Sequence, residues 1–265
     1  MTRCTRRGFI GRAVFLPGIL SATARADESQ FDPHRFDDRW AVVYAGPSAG
    51  RGCPEGVARI AREIGLEVKY FKNVKRLPRL LDRASVLIVG GTTGDIDELR
   101  NVFNAELTLA LRAYLKRGGR YWGVCGGAYI ASQRYQGYHG RVEALQLIPA
   151  AAEDYSSATR AKLIPVRWRG VTRDLYALGS PSFRILDADA PVDIVATFHD
   201  GPIAALICAY GQGKVAVSGP HPEATTTWLQ EDGLETDNWK PTRPLAHALL
   251  KDLLSERPID RRNNH

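Results

Sequence analysis

Short apolar segments alternate with helical segments from residue 40 to residue 132, and this alternation constrains the fold more than any other feature. The segments 40–45, 85–89 and 120–124 are mainly apolar, as expected for strands that are buried on both faces of a sheet. Segments with helical spacing, such as 54–64 and 105–115, separate these strands. Such alternation predicts a doubly wound α/β fold, with a mostly parallel sheet and helices on both faces.

Residues 138–212 follow a different pattern, in which strand-like pieces are separated by Pro, Gly and Asp. We predict that they are antiparallel strands, added to the parallel core or inserted in it. The pieces are 163–168, 174–178, 192–198 and 203–210.

The 265 residues are long enough to bury a core without disulfides. A further strand over 214–218 and a closing helix over 244–254 complete one predicted domain, 40–256, followed by a polar tail over 257–265. A polar lead-in, 27–39, precedes it. No run of about 18 apolar residues occurs, so we expect no stable membrane anchor.

The net charge of +7 is concentrated at the N-terminus. Residues 1–26 contain five arginines and no acidic residue, so residues 27–265 retain a net charge of only +2. No basic stripe with interleaved aromatic residues remains in that part, and nucleic acid is not an expected partner.

The first 26 residues have the layout of an export signal. Arg6 and Arg7 precede an apolar stretch over 13–24, and Ala24-Arg25-Ala26 supplies small residues for cleavage after Ala26. The paired arginines predict a twin-arginine signal, the twin-arginine export machinery as a partner and a periplasmic location. A basic surface-binding arm is the alternative.

A candidate nucleophile lies in residues 123–127, which read Gly-Val-Cys-Gly-Gly. They fit the pattern Gly-x-nucleophile-x-Gly between a strand and a helix, where the nucleophile occupies a strained turn. The start of the helix favours a thiolate at Cys125, and the N–H of Gly126 can stabilise an oxyanion. A buried structural cysteine is the alternative.

His221 and Glu223 are the candidate partners of this thiol. They follow the strand 214–218 in the segment Ser-Gly-Pro-His-Pro-Glu. Residues two apart in an extended segment project to the same side, so the carboxylate can orient the imidazole toward the sulfur. We therefore predict a Cys125–His221–Glu223 triad, with a histidine in a proline-rich turn as the alternative.

The loop 90–95, which reads Gly-Gly-Thr-Thr-Gly-Asp, follows the strand 85–89. Ligands of open α/β sheets bind beyond the carboxyl ends of the strands. The N–H of Gly91 or Thr92 is therefore a predicted second oxyanion donor, and a plain turn is the alternative. Gly90 and Gly127 complete the predicted substrate-binding loops.

No cofactor or metal site is predicted. The sequence lacks the Gly-x-Gly-x-x-Gly fingerprint of dinucleotide binding, and no His, Cys or Asp grouping has metal-ligand spacing. We expect Cys53 to be an inert helix-start residue rather than a second thiol of the site, and Cys208 to lie in the core. Four aromatic residues could line the pocket or pack in the core, and we expect packing: Trp168, Tyr176, Trp228 and Trp239.

The order of these elements resembles the class I glutamine amidotransferase-like superfamily. The resemblance rests on Gly90-Gly91 after a strand, the helix ending at Gly118-Gly119, the segment 123–129 and His221-Pro222-Glu223. It implies that Cys125 is the nucleophile, His221 the base and Glu223 its orienter, with Gly91 and Gly126 in the oxyanion hole.

A closer resemblance is to the domain found at the N-terminus of biotin–protein ligases, which also occurs alone in bacteria. It is carried by the segments 90–95, 121–129 and 211–223 and covers most of 40–225. Nothing in the sequence resembles the ligase catalytic domain, so biotin ligation is not expected.

These observations favour an exported cysteine-dependent hydrolase that acts on a small-molecule or peptide-like amide, or a related acyl bond. Two other interpretations remain at this point. The first is a binding module that keeps the pocket without turnover. The second is a thiol redox protein that uses Cys125, alone or with Cys53.

Overall fold

The computed structural model describes residues 40–92, 94–156 and 160–259. The predicted signal 1–26, the lead-in 27–39 and the end of the tail, 260–265, lie outside the described residues. None of the helices in the described ranges is long and apolar enough to cross a membrane.

The first half of the described chain alternates strands and helices, as the sequence predicts. The helix at 53–63 has a proline near its start, a position that favours helix initiation. The helix at 105–116 is capped by Asn104, whose side chain accepts a hydrogen bond from the Leu107 N–H. The elements are β1 (Trp40–Tyr44), α1 (Cys53–Glu63), β2 (Glu67–Phe71), α2 (Leu77–Leu81), β3 (Val86–Val89), α3 (Ile96–Val102), α4 (Ala105–Lys116), β4 (Arg120–Val124) and α5 (Gly126–Ala131).

The second half contains most of the antiparallel strands, and two helices close the chain. These elements are β5 (Arg134–Gly137), β6 (Gly140–Glu143), β7 (Ala150–Asp154), β8 (Lys162–Trp168), β9 (Val171–Ala177), β10 (Pro181–Ile185), β11 (Val192–Phe198), β12 (Ile203–Tyr210), β13 (Gly213–Ser218), α6 (Thr226–Glu231) and α7 (Arg243–Leu254).

One mixed sheet organises the described residues. Its main path runs β2-β1-β3-β4-β13-β12-β11-β8-β9, with β10 paired to β12 and β7 paired to β10. The strands from β2 to β13 are parallel, and the strands from β12 to β9 are antiparallel. The predicted α/β fold is confirmed, including the antiparallel addition within 138–212.

The core lies on both faces of the parallel strands, because successive side chains of a strand point to opposite faces. Val42 and Leu87 pack on the face that is covered by α2 to α5. Ala41 and Ile88 pack on the face that is covered by α1 and α7. Burial on both faces explains why these strands have no polar alternation in the sequence.

Several short elements were not predicted. They are α3, α6, the β5–β6 hairpin, and the pair β7 and β10. The Asp95 side chain caps α3 by accepting a hydrogen bond from the Asp97 N–H at 2.7 Å, and Thr225 caps α6 in the same way. Each helix spans only six or seven residues, which is too short for hydrophobic periodicity to be a clear signal.

Candidate active site

The site forms where the parallel strands end. β3 is followed by the loop that contains Gly91, β4 by Cys125, and β13 by the segment that contains His221. Val124 at the end of β4 is in register with Ser218 at the end of β13. Because β3, β4 and β13 are parallel neighbours, their carboxyl ends meet at one edge of the sheet.

Cys125 occupies a strained backbone position between β4 and α5. Its φ is +49° and its ψ is −107°, a region that costs a non-glycine residue on the order of 1–3 kcal/mol. The Cys125 N–H donates a hydrogen bond to the Ser218 carbonyl oxygen at 2.9 Å. The sulfur lies 3.8 Å from the Leu178 carbonyl oxygen. The sharp turn predicted from the sequence is therefore present.

The glycines around Cys125 allow close contact between backbones. A Cβ at Gly126 would lie 2.9 Å from Thr92 Cγ2, and one at Gly127 would collide with the Val89 carbonyl oxygen. The Gly127 N–H donates to the Gly90 carbonyl oxygen at 3.0 Å. Gly90 and Gly127 therefore allow the close backbone contacts that shape the turn.

Gly91 and Thr92 line the same cavity as Cys125. The Thr92 hydroxyl is engaged, since it donates to the Ser48 carbonyl oxygen at 2.7 Å. The N–H groups of Gly91 and Gly126 make no hydrogen bond to any residue in the described ranges. The N–H of Thr92 likewise makes no hydrogen bond to a residue in those ranges, so all three N–H groups are candidates to bind a ligand oxygen.

His221 and Glu223 form a buried pair. His221 Nδ1 lies 2.8 Å from Glu223 Oε1, and Glu223 is fully buried. Burial lowers the pKa of the imidazole, but the negative charge of Glu223 and the contact with the Cys125 thiol raise it more. The result is a His221 pKa well above its ordinary value, which favours an imidazolium at neutral pH.

The Glu223 segment is held from a neighbouring helix. Arg59 on α1 donates a hydrogen bond to the Glu223 carbonyl oxygen at 3.1 Å. A Cβ at Gly56, one turn earlier on α1, would lie 3.1 Å from Glu223 Cγ. The carboxylate is thus positioned by α1 as well as by its own segment.

Two aromatic residues that were expected only to pack also line the cavity. The rings of Tyr176 and Trp228 each lie 5.6 Å from the His221 ring, edge to face. Tyr176 reaches His221 because the antiparallel extension returns to the site, where the His221 N–H donates to the Tyr176 carbonyl oxygen at 2.9 Å. Trp168 is buried in the core as expected, and the Trp239 indole donates to the Asp174 carbonyl oxygen.

The cavity has a volume of about 500 Å³. Sequence reasoning did not identify three residues of its wall, because a loop and a helix end far apart in the chain supply them: Leu178, Glu231 and Asp232.

The remaining cysteines and histidines have different surroundings. Cys53 lies at the start of α1 and lines the cavity, and burial raises its pKa, with further contributions from Glu223 and Cys125. Cys208 is buried in β12, as predicted. His199 lies in an exposed turn and His139 at the tip of the β5–β6 hairpin, away from the residues that line the cavity.

The fold is similar to that of solved glutamine amidotransferases. A solved glutamine amidotransferase aligns over 74% of this chain and 100% of its own, with a TM-score of 0.53 and 20% identity. A second one, from Thermotoga maritima, aligns over 82% of this chain and 98% of its own, with a TM-score of 0.55 and 14% identity. At this level of identity the likeness concerns the fold.

The sequence has a higher identity to a curated protein than to these two solved structures. This is the pyridoxal 5'-phosphate synthase subunit PdxT of Roseiflexus castenholzii, with 28% identity over 160 residues. The alignment covers 57% of this chain and 79% of that protein. No family model matches the sequence.

Proposed function

We propose that this chain is a cysteine-dependent hydrolase of an amide or related acyl bond, with Cys125 as nucleophile, His221 as general base and acid, and Glu223 as the orienting carboxylate. The observation that carries the proposal is the buried His221–Glu223 pair beside a cysteine in a strained turn, all at one cavity. The similarity to PdxT and to the glutamine amidotransferase fold supports the class of reaction.

The reaction follows from these positions. The Cys125 sulfur, deprotonated by His221, forms a bond to the carbonyl carbon, and the carbonyl π electrons move to the oxygen. When the intermediate collapses, the C–N bond breaks and the amine leaves with the proton from His221. Water then attacks the thioester, His221 takes its proton, and the acid departs as the sulfur is released.

The oxyanion donors in this proposal are the N–H groups of Gly91 and Gly126. Both lack a partner among the described residues, and they flank the cavity from the ends of two neighbouring strands. Donors that are fixed before the reaction stabilise the developing negative charge without reorganisation.

The state of Cys53 favours hydrolysis over dithiol redox chemistry. Burial raises the pKa of Cys53, so this thiol stays protonated near neutral pH. A protonated thiol is a poor nucleophile and a poor partner for thiol–disulfide exchange. The one thiol with an imidazole beside it is Cys125, within the part of the chain that the structure describes.

The test is the pH dependence of Cys125 alkylation by iodoacetamide, with mass spectrometry to locate the label. Cys125 is expected to react faster at pH 6.5 than an isolated thiol, because a base beside a thiol activates it as a nucleophile. An ordinary thiol titrates near 8.5, so His221→Ala should lower the rate at pH 6.5 by about 100-fold. His199→Ala removes an exposed histidine from a turn and should leave the rate unchanged.

If Cys125 reacts like a free thiol, or if His221→Ala leaves its pH profile in place, the catalytic proposal is wrong. A binding module that retains the pocket is then the better interpretation.

We further propose that residues 1–26 direct export through the twin-arginine machinery, with cleavage after Ala26, to the periplasm. Changing Arg6 and Arg7 together to lysine keeps the charge and removes the paired arginines. In a host that has this machinery, most of the expressed protein is then expected to remain as uncleaved precursor in the cytoplasmic fraction. The matched control changes Arg3 and Arg12 to lysine, and equal export of both variants would contradict the proposal.

Within the amidotransferase-like proteins, we infer that the chain is nearest to the domain found at the N-terminus of biotin–protein ligases. The support is the sequence of its loops at 90–95, 121–129 and 211–223. This relationship concerns the domain and does not include biotin ligation.

A further inference from the structure

The wall of the cavity includes aromatic rings and charged side chains that the proposed reaction does not use. Tyr176 and Trp228 present their rings to one another at 5.6 Å, edge to face. Asp232 and Glu231, at the end of α6, line the same wall. Neither carboxylate forms an ion pair with any residue in the described ranges.

Asp232 is held in place by Tyr176. The Tyr176 hydroxyl donates a hydrogen bond to Asp232 Oδ2 at 2.6 Å. Burial and the nearby Asp232 raise the pKa of Tyr176, so the phenol remains a neutral donor. The hydrogen bond uses one carboxylate oxygen, and the other has no partner among the described residues.

Tyr176 connects the Asp232 carboxylate to His221. Tyr176 holds Asp232 through its hydroxyl, while its ring contacts the ring of His221 and its carbonyl oxygen accepts the His221 N–H. Tyr176 therefore contacts both Asp232 and His221. A substrate group that reaches Asp232 would share one cavity with a carbonyl group at Cys125.

We propose that Asp232, Tyr176 and Trp228 form a subsite for a cationic group, so that the substrate is an amide that carries an ammonium or guanidinium beside the bond to be cleaved. A fixed carboxylate next to aromatic rings is an arrangement that attracts organic cations. This inference rests on the proposed function, since it assigns the substrate class of the same site.

The balance of charge around the cavity supports a cation over an anion. Arg51 is the one basic residue of the lining besides His221, and it is exposed. The charge of the His221 imidazolium is balanced by Glu223. Two unpaired carboxylates therefore face a single unpaired guanidinium across the opening, within the described residues.

The test uses three alkylating reagents of different charge on the purified protein. The reagents are 2-bromoethylammonium, iodoacetamide and iodoacetate. For each reagent, the rate constant with Cys125 is divided by its rate constant with 2-mercaptoethanol at the same pH, which gives a normalised rate. The cationic reagent is expected to have the highest normalised rate. Asp232→Asn should lower its ratio to the neutral reagent by about fivefold, as for a partly exposed charge pair.

Control variants separate this effect from general electrostatics. Tyr176→Phe removes the hydroxyl that holds Asp232 and should lower the same ratio by a smaller factor. Glu235→Gln removes an equally exposed acidic residue that does not line the cavity, and should leave the ratio unchanged.

The outcomes distinguish the two proposals. If Cys125 reacts with iodoacetamide only as an ordinary thiol does, the proposed function fails. If it reacts at low pH but iodoacetate has the highest normalised rate, and Arg51→Gln removes that preference, the cationic subsite is wrong while the hydrolase proposal stands. Equal normalised rates for all three reagents would also overturn the subsite.

Discussion

Replacing Glu223 by glutamine is expected to lower the free energy of unfolding by about 3 kcal/mol at pH 6, the cost of breaking a buried ion pair. The side chain is fully buried, and its carboxylate lies 2.8 Å from His221 Nδ1. Glutamine has nearly the same shape, so the packing against Gly56 is retained and the loss is electrostatic. The measurement is urea unfolding of both proteins between pH 6 and pH 10.

The effect should depend on pH in one direction. The pKa of His221 is about 10 in the folded protein and about 6.5 in the unfolded chain. Because the folded value is the higher one, the stabilisation is fully present below about pH 6.5 and is lost as the pH rises through 10. The difference between wild type and Glu223→Gln should therefore shrink toward pH 10.

The chain contains a matched control for this experiment. Glu63 lies 2.7 Å from His247 Nε2 on the surface, where such pairs contribute about 1 kcal/mol or less. Glu63→Gln should cost less than Glu223→Gln at every pH below 8. Equal costs for the two variants would mean that His221 is not held as an imidazolium by Glu223.

Gly127→Ala is the second substitution with a large expected effect, a destabilisation of about 3 kcal/mol or more through overpacking. A Cβ at this position would collide with the carbonyl oxygen of Val89. That carbonyl belongs to β3, which is paired on both sides with β1 and β4 and cannot easily move away. The midpoint of urea unfolding, with the slope compared between proteins, measures the change.

The control for Gly127→Ala is Gly233→Ala. Gly233 has a φ of +67°, and a methyl group added there would meet no heavy atom within 4 Å, so the cost is only that of left-handed backbone, about 1 kcal/mol. If both variants lose the same stability, α5 does not approach β3 as closely as described. We also expect Gly127→Ala to lower the alkylation rate of Cys125, because a displaced start of α5 would move the turn that holds the thiol.

The strands of the parallel core and the catalytic candidates were largely readable from the sequence. The segments 85–89 and 120–124 are apolar throughout or nearly so, a pattern typical of strands buried on both faces of a sheet. The two-residue spacing of His221 and Glu223 predicted that their side chains would meet, and they do so at 2.8 Å. These features are local, so the sequence pattern is sufficient to indicate them.

The wall of the cavity was not readable in the same way. Tyr176 lies on β9, which is four strands away from β13 along the sheet, yet its carbonyl oxygen accepts the His221 N–H. Asp232 joins the site because it follows a six-residue helix that the sequence pattern did not predict. Only long-range packing decides that Tyr176 and Asp232 line one cavity with Cys125.

The sequence by itself thus determined the elements of the parallel core, the strained turn at Cys125 and the pairing of His221 with Glu223, because each depends on neighbours in the chain or on the alternation of buried strands. The tertiary structure alone decided which N–H groups are left without partners and which side chains form the cavity. Those properties depend on contacts between segments far apart in the chain, and the local sequence pattern of a segment does not indicate such contacts.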